Sequence, residues 1–433
     1  MNGQSSTFSR VTSRLFARKN YPFLIFAVAF VTLLGAAGFR STPGILIDPL
    51  HEEFGWGRGT VGTAVSINVF LFGFIGPFAA ALQGKYGLRR VTVIALLVIS
   101  AGALLTTRIT APWQLHLLWG GVVGVGSGCM ATVFASTIVS RWFVKRRGLV
   151  MGALTAASAS GQLIFLPLLT RLAQNHGWRW VGMTIALSAL AVVPIVAVFL
   201  RNFPSDIGTV PYGSDGNEEP QVVVSHPIRA AFEAFTSARR NGVFWLLFGS
   251  FFVCGLSTNG LIQTHFLPAA HDHGVAATTA AGFLALIGIF DIVGTIGSGW
   301  LTDRVDPAKL LMVYYLFRGA SLMFLDPVLG TRGMGLAGFM IFYGLDWVAT
   351  VPPTVALCVE RFGVQQGPLV YGWVFAGHQT GAAVAAWGAG ALRDATGSYR
   401  LAFVIAGLCC GLATIGVSRL RRPKVLLQPA LQI

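Results

Sequence analysis

The chain has 433 residues, of which 54% are hydrophobic and 11% charged, with 31 Lys and Arg against 16 Asp and Glu. A soluble domain carries about 25% charged residues, so an ordinary soluble protein is excluded. The net charge of +15, which in a soluble protein would point to nucleic acid, sits in short loops between apolar runs, and no nucleic-acid partner is expected.

Windows of roughly 20 apolar residues, the length that crosses a hydrocarbon core, predict twelve helices. The first six lie at 21–47, 58–83, 90–107, 112–139, 147–170 and 179–200. The second six lie at 242–267, 276–302, 308–327, 333–358, 366–391 and 398–418. In hydrocarbon only helices and closed barrels satisfy every backbone N–H and C=O, and these runs lack the two-residue alternation of barrel strands. The expected fold class is therefore an all-α membrane protein of twelve transmembrane helices in two six-helix bundles.

The first helix follows a polar stretch, Met1 to Asn20, and is longer than a signal-peptide core, with no small-residue cleavage site in view. It is expected to remain in the mature protein. Lys and Arg are retained on the cytoplasmic side during insertion. With the N-terminus inside, 22 of them fall in the tails and even-numbered loops, 7 in the opposite loops and 2 within helices. Both termini are therefore expected in the cytoplasm. The five cysteines, Cys129, Cys254, Cys358, Cys409 and Cys410, form no C-x-x-C pair or metal-ligand spacing and read as helix-packing residues.

In helix 4, Gly120, Gly121, Gly124, Gly126 and Gly128 permit close backbone contact. A nucleotide-binding reading of them fails because no strand precedes and no acidic partner follows. Pro43, Pro77, Pro167, Pro194 and the pair Pro352–Pro353 lie inside predicted helices, where each removes a backbone bond and permits a kink. The longest polar interval, Asn202 to Asn241, separates six helices from six, giving an N-terminal bundle over 1–201, a cytoplasmic linker over 202–241, and a C-terminal bundle with its tail over 242–433. Within the linker, Ile228 to Arg240 reads either as a short amphipathic helix on the membrane surface, with Ile228, Ala231, Phe232 and Phe235 on one side, or as a solvated loop.

Helices 2 and 8 each end in a Gly-rich, basic turn, Gly84-Lys85-Tyr86-Gly87-Leu88-Arg89-Arg90 and Gly299-Trp300-Leu301-Thr302-Asp303-Arg304, and such parallel repeats mark secondary transporters. The second turn resembles the loop signature of the major facilitator superfamily, which makes Asp303 and Arg304 the expected gating loop. The first departs from it, with Gly84 where that family usually has Asp. Two further segments are similar to the monocarboxylate transporter family and its bacterial oxalate-formate antiporter-like relatives. One is Arg141-Trp142-Phe143-Val144-Lys145-Arg146-Arg147-Gly148-Leu149-Val150-Met151-Gly152, at the entry to helix 5. The other runs from Gly38-Phe39-Arg40-Ser41 through Phe54-Gly55-Trp56 to Lys85-Tyr86-Gly87. The resemblance implies that Arg40, in the position of the family's basic residue on helix 1, contacts a substrate carboxylate. It also implies an Asp and an Arg one turn apart on helix 8, where this chain has Asp291 but Thr295.

An ionisable residue at a helix centre costs about 2.5–3.5 kcal/mol on the insertion scale, so each one is a functional candidate. Asp291, Arg318, Asp346 and His378 all fall roughly 15–18 Å from the cytoplasmic surface at a rise of about 1.5 Å per residue, whereas Arg40 lies nearer the outer side. The preferred arrangement is an Asp291–Arg318 ion pair, with Arg318 supplying the cation missing from helix 8. A bridge that merely fixes helix 9 is equally consistent with the sequence. A proton carrier must change charge across the working range, which desolvation of a carboxylate can bring about, and Asp291 is the first choice. His378 titrates near neutrality but also fits a hydrogen-bonded packing role. Asp346 is assigned to proton coupling, or to bracing the broken stretch before Pro352–Pro353.

Arg40 suits a carboxylate clamp because guanidinium binds carboxylates bidentately and stays charged in a poorly solvated site; snorkelling to headgroups is the alternative. Asn68, Gln162, Asn259 and Gln263 would complete the site with Arg318 and His378, or simply join helices by hydrogen bonds. The sequence contains no H-E-x-x-H, G-x-S-x-G or P-loop, so neither an enzyme nor a cofactor or metal is expected, and transport would draw on gradients. The expected function is transport of a small organic anion, a monocarboxylate moved with a proton, by a monomer in a bacterial inner membrane. Carboxylate exchange, efflux of a neutral or cationic compound, and solute sensing are the alternatives.

Overall fold

A computed structural model describes residues 20–38, 43–56, 58–215, 226–331 and 333–420. Among these the chain is helical nearly throughout, apart from an isolated bridge between Phe143 and Tyr212. Numbering only the membrane-spanning elements, α1 is Tyr21–Ala36, α2 the bent pair Arg58–Phe74 and Gly76–Tyr86, and α3 Leu88–Thr106. α4 runs from Pro112–Leu115 through the π-helical stretch His116–Val123 to Thr132–Trp142, α5 is Arg147–His176 and α6 is Trp178–Phe199. After the linker, α7 runs from Gly242–Gly255 through π-helical Leu256–Ile262 to Gln263–Asp272; α8 is Ala277–Thr302 and α9 is Pro307–Thr331. Met334–Asp346 and the part of Val351–Thr396 before Gly363 form α10, the part after it α11, and Arg400–Ser418 is α12. Gly363 turns at φ 80°, a conformation glycine reaches without a Cβ penalty; this residue separates two spans in an otherwise continuous element.

Over the described residues most of each predicted apolar run is helix. Among the described residues nine elements are long and apolar enough to cross a membrane alone, one of them holding both α10 and α11, and the bent α2 adds a tenth. Its two pieces meet at 51°, where Pro77 at the second position of Gly76–Tyr86 cannot donate to the preceding turn. Helix 1 differs from the sequence expectation of 21–47: α1 ends at Ala36 and a separate helix, Pro43–Phe54, follows. That helix is tied to the start of α6, because Glu53 accepts from Trp178 Nε1 at 2.7 Å and from Arg179 Nη1 at 2.9 Å. The Arg179 guanidinium, then the Trp178 indole, hold the Glu53 carboxyl below its ordinary value. The clasp is therefore expected to persist above the ordinary carboxylate range and to open only as pH falls through the lowered value, measurable as acid-induced protease access to residues 51–56.

The helices before and after the linker meet along two seams. α5 lies against α8, and α2 against α11. Both approaches are close enough that side chains are excluded: a Cβ on Gly299 would collide with the Gly148 carbonyl, and one on Gly372 would lie 2.6 Å from the Pro77 nitrogen. These contacts gather toward the side on which α6 ends and α7 begins, called here the linker side. Described parts of the linker lie against it. Tyr212 accepts from Val144 N at 2.9 Å and donates to the Trp142 carbonyl at 2.8 Å. The amphipathic segment forms a helix, Pro227–Ala238, so the loop alternative is not realised.

Candidate functional site

The polar centre of the molecule is built around a break in α10. Pro352 and Pro353 open the second half of that span and have no N–H to donate to the preceding turn, so the carbonyls behind them lose helical partners. Irregular backbone at membrane depth persists only where protein groups satisfy it, and two neighbouring helices, α8 and α9, do so between Asp346 and Thr350. Arg318 on α9 donates from Nη2 to the carbonyls of Asp346, at 2.6 Å, and Trp347, at 3.1 Å. Ser298 on α8 donates to the Ala349 carbonyl at 2.5 Å. Asp291, also on α8, accepts the Val348 N–H at 3.0 Å.

Arg318 is fully buried, at 0% exposure, and its donors are committed. Nε donates to Asp346 Oδ2 at 2.5 Å, and Nη1 reaches the Cys254 sulfur on α7 at 3.0 Å. Cys254 in turn lies 3.2 Å from the Thr350 hydroxyl. The expected Asp291–Arg318 pair is thus replaced by an Arg318–Asp346 pair. The reason is geometric: one planar guanidinium can bridge a carboxylate and the two carbonyls beside it, all presented by the same end of Met334–Asp346. Arg318 and Asp346 thus brace α10 together through these contacts.

Asp291 is 4% exposed. Its Oδ1 takes two hydrogen bonds, from Val348 N and from Thr295 Oγ1 at 2.8 Å. Thr295, one turn on, occupies the position of the absent Arg. The α8–α10 approach that brings Asp291 to the break depends on Gly294, where a Cβ would strike the Leu345 carbonyl. His378 on α11 is buried with its ring 4.8 Å from Phe251 and stacked on Phe375 at 5.8 Å.

The remaining expected residues do not converge on this centre. Asn68 is buried and donates to the Trp119 carbonyl at 2.8 Å, fastening α2 to α4. This hydrogen bond realises the helix-joining role considered for its amide. Asn259 is half-buried in the π-helical stretch of α7 and its carbonyl accepts from Thr264, while Gln263 is exposed. Arg40 and the side chain of Gln162 lie outside the described residues. Sequence reasoning missed Cys254, Ser298 and Thr350. The spacing Asp291, Thr295, Ser298, Thr302 along one face of α8 was the available signal for Ser298.

The turn expected to gate lies against the start of α5. Asp303, just past α8, accepts from the backbone N–H of Gly148 at 2.7 Å and of Leu149 at 2.9 Å, at the N-terminus of the 30-residue helix α5. A carboxylate there satisfies orphan donors and complements the helix dipole. Arg146, immediately before α5, takes φ 61°, in the left-handed region uncommon for non-glycine residues. Arg304 folds back on its own turn, donating to the Trp300 carbonyl at 3.0 Å with its guanidinium 4.0 Å from that ring centroid. Beside the latch lies a cavity of about 230 Å³ bounded by α4, α5, α8 and α10, with Ser136, Ser140, Arg147 and Glu360 in its wall. Asp303→Ala removes two hydrogen bonds to a charged acceptor, each worth about 1.5–3 kcal/mol. It is expected to favour opening on the linker side by at least tenfold, read as faster thiol labelling of a Ser140→Cys reporter.

Comparison with known proteins gives a consistent result. A family model described as the Major Facilitator Superfamily matches residues 25–367. A protein of Bacillus subtilis (strain 168), the uncharacterized MFS-type transporter YcxA, is 24% identical, with 91% of this chain and 93% of that one covered. Monocarboxylate transporter 13 of Bos taurus is 30% identical, covering 80% of this chain and 77% of that one. Among solved structures, the E. coli fucose:proton symporter FucP superposes with a TM-score of 0.65 at 18% identity, covering 92% of this chain and 98% of that one.

Proposed function

The chain belongs to the major facilitator superfamily, and on that premise we propose that it carries a small organic anion, a monocarboxylate together with a proton, by alternating access. It is a multi-pass membrane transporter and not an enzyme. The observation that carries the proton reading is a charge count at the α10 break. Arg318 and Asp346 cancel, leaving Asp291 as the surplus carboxyl. Its proton can leave or arrive without exposing an unpaired cation, and an intramembrane carboxyl of this kind marks a proton or ion pathway by default.

The anion reading is supported by relatives named as monocarboxylate transporters and by Arg40, a cation that the sequence places within helix 1. In this reading Arg40 holds the substrate carboxylate, and Asp291 relays its protonation state to α10 through the Val348 N–H. The excess of Lys and Arg assigns the linker side and both termini to the cytoplasm. The latch at Asp303 then closes the cytoplasmic side, in a monomer in a bacterial inner membrane.

The test is uptake of labelled lactate, pyruvate, acetate, formate and oxalate into proteoliposomes. An imposed inward proton gradient is expected to drive uptake of at least one monocarboxylate. Uptake that requires unlabelled acid trapped inside replaces symport by exchange, and no uptake of any acid removes the anion reading.

A further inference from the structure

The linker helix Pro227–Ala238 lies across the seam between α2 and α11 and touches both. Its attachment to α11 is specific: Trp373 Nε1 donates to the Ala231 carbonyl at 2.9 Å, and the Trp373 ring lies 4.9 Å from that of Phe235. On the other side Phe78 of α2 meets Phe232 at 5.5 Å and Trp373 at 5.9 Å. One aromatic cluster thus joins α2, the linker helix and α11, directly beside the Gly372–Pro77 approach.

At about 100° per residue this helix has three faces rather than two. Ala231, Ala234 and Ala238 form the face buried against the seam. Arg229, Glu233, Thr236, Ser237 and Arg240 form a polar face, with Arg229 and Glu233 paired in solvent at 2.6 Å. Between these faces lie Ile228, 65% exposed, and Phe232, 48% exposed, one turn apart, with exposed Arg239 in line beyond them. Trp245 of α7, also half-exposed, donates to the Arg239 carbonyl at 2.8 Å. An apolar strip flanked by Arg and edged by Trp beside membrane-spanning helices has the composition of a segment seated at the headgroup boundary.

We infer that the outer strip of this helix docks on anionic phospholipid of the linker-side leaflet, and that the docked helix straps α2 to α11 and holds that side closed. The occupant follows from chemistry and place. Ile228 and Phe232 look outward from the same surface as the exposed Phe74 and Trp245 of the spans, where acyl chains are the neighbour. Arg239 lies at the end of the strip, where it meets headgroups whose negative charge favours a basic residue. The inference stands independently of the substrate, and its test reads opening rather than transport.

The full chain carrying Ser140→Cys, a reporter in the wall of the cavity between the halves, is reconstituted in phosphatidylethanolamine vesicles with or without phosphatidylglycerol. Labelling by a membrane-impermeant maleimide measures opening. Omitting phosphatidylglycerol is expected to raise the labelling rate about fivefold, the worth of one basic residue at an anionic surface. Adding Trp373→Phe or Phe232→Asp is expected to raise it by a similar factor even with phosphatidylglycerol present. Crosslinking Phe78→Cys to Phe232→Cys through a short bis-thiol reagent is expected to keep the rate low in both lipids. Rates unchanged by the two substitutions and by the crosslink overturn the strap. A response to Trp373→Phe with none to phosphatidylglycerol overturns the lipid partner.

Discussion

Replacing Asp291 by asparagine is expected to reduce proton-driven uptake to background while leaving the protein folded. Asn keeps an oxygen in the place of Oδ1, so the Val348 N–H and the Thr295 hydroxyl retain their acceptor; only the exchangeable proton is lost. Asp291→Ala is the contrasting variant. It removes the acceptor as well and leaves a buried N–H unsatisfied, at a cost of about 1–3 kcal/mol. The pair separates coupling from architecture: uptake and thermal stability are measured for both, with loss of uptake expected in each and loss of stability confined to the alanine. An Asp291→Asn protein that accumulates substrate on a proton gradient at the original rate would remove Asp291 from the coupling mechanism.

The second large effect is expected at Asp346. Asp346→Asn leaves the guanidinium of Arg318 buried without its counter-charge, and breaking such a pair costs about 3–5 kcal/mol, enough to lower the melting temperature strongly in detergent. Replacing both partners by apolar residues often restores stability elsewhere, but full restoration is not expected here. Arg318 also serves the carbonyls of Asp346 and Trp347, and an Arg318→Met, Asp346→Leu protein leaves both without a donor. Thermal denaturation of the single and double variants checks this: a double variant as stable as the parent would mean that the bridge, not the backbone, is what Arg318 holds.

The twelve spans were legible because a segment crossing hydrocarbon must be apolar for about 20 residues whatever its neighbours do. The end of α1 at Ala36 was not, because Pro43–Phe54 continues the apolar run for several residues before its charges begin. The site was legible as a set of intramembrane ionisable residues. Its pairing was not: depth places Asp291, Arg318, Asp346 and His378 at one level, but which of two aspartates faces Arg318 depends on the rotation of α8 and α10 about their axes. The Pro352–Pro353 pair announced a break in α10, yet nothing local indicated that its partners come from α8 and α9. At Asn68 two roles stayed open, because a buried amide that joins helices and one that binds solute look alike in sequence.

The wiring of the α10 break runs mainly to main-chain atoms, which every residue type shares. Over Trp347, Val348 and Ala349 the groups received by Arg318, Asp291 and Ser298 are two carbonyls and one N–H. Sequence drift at these three positions should therefore be tolerated wherever packing allows, while a single-residue insertion or deletion, which moves all three groups out of register at once, should not. The segment's length is the inherited quantity, and its spelling is written elsewhere, on α8 and α9.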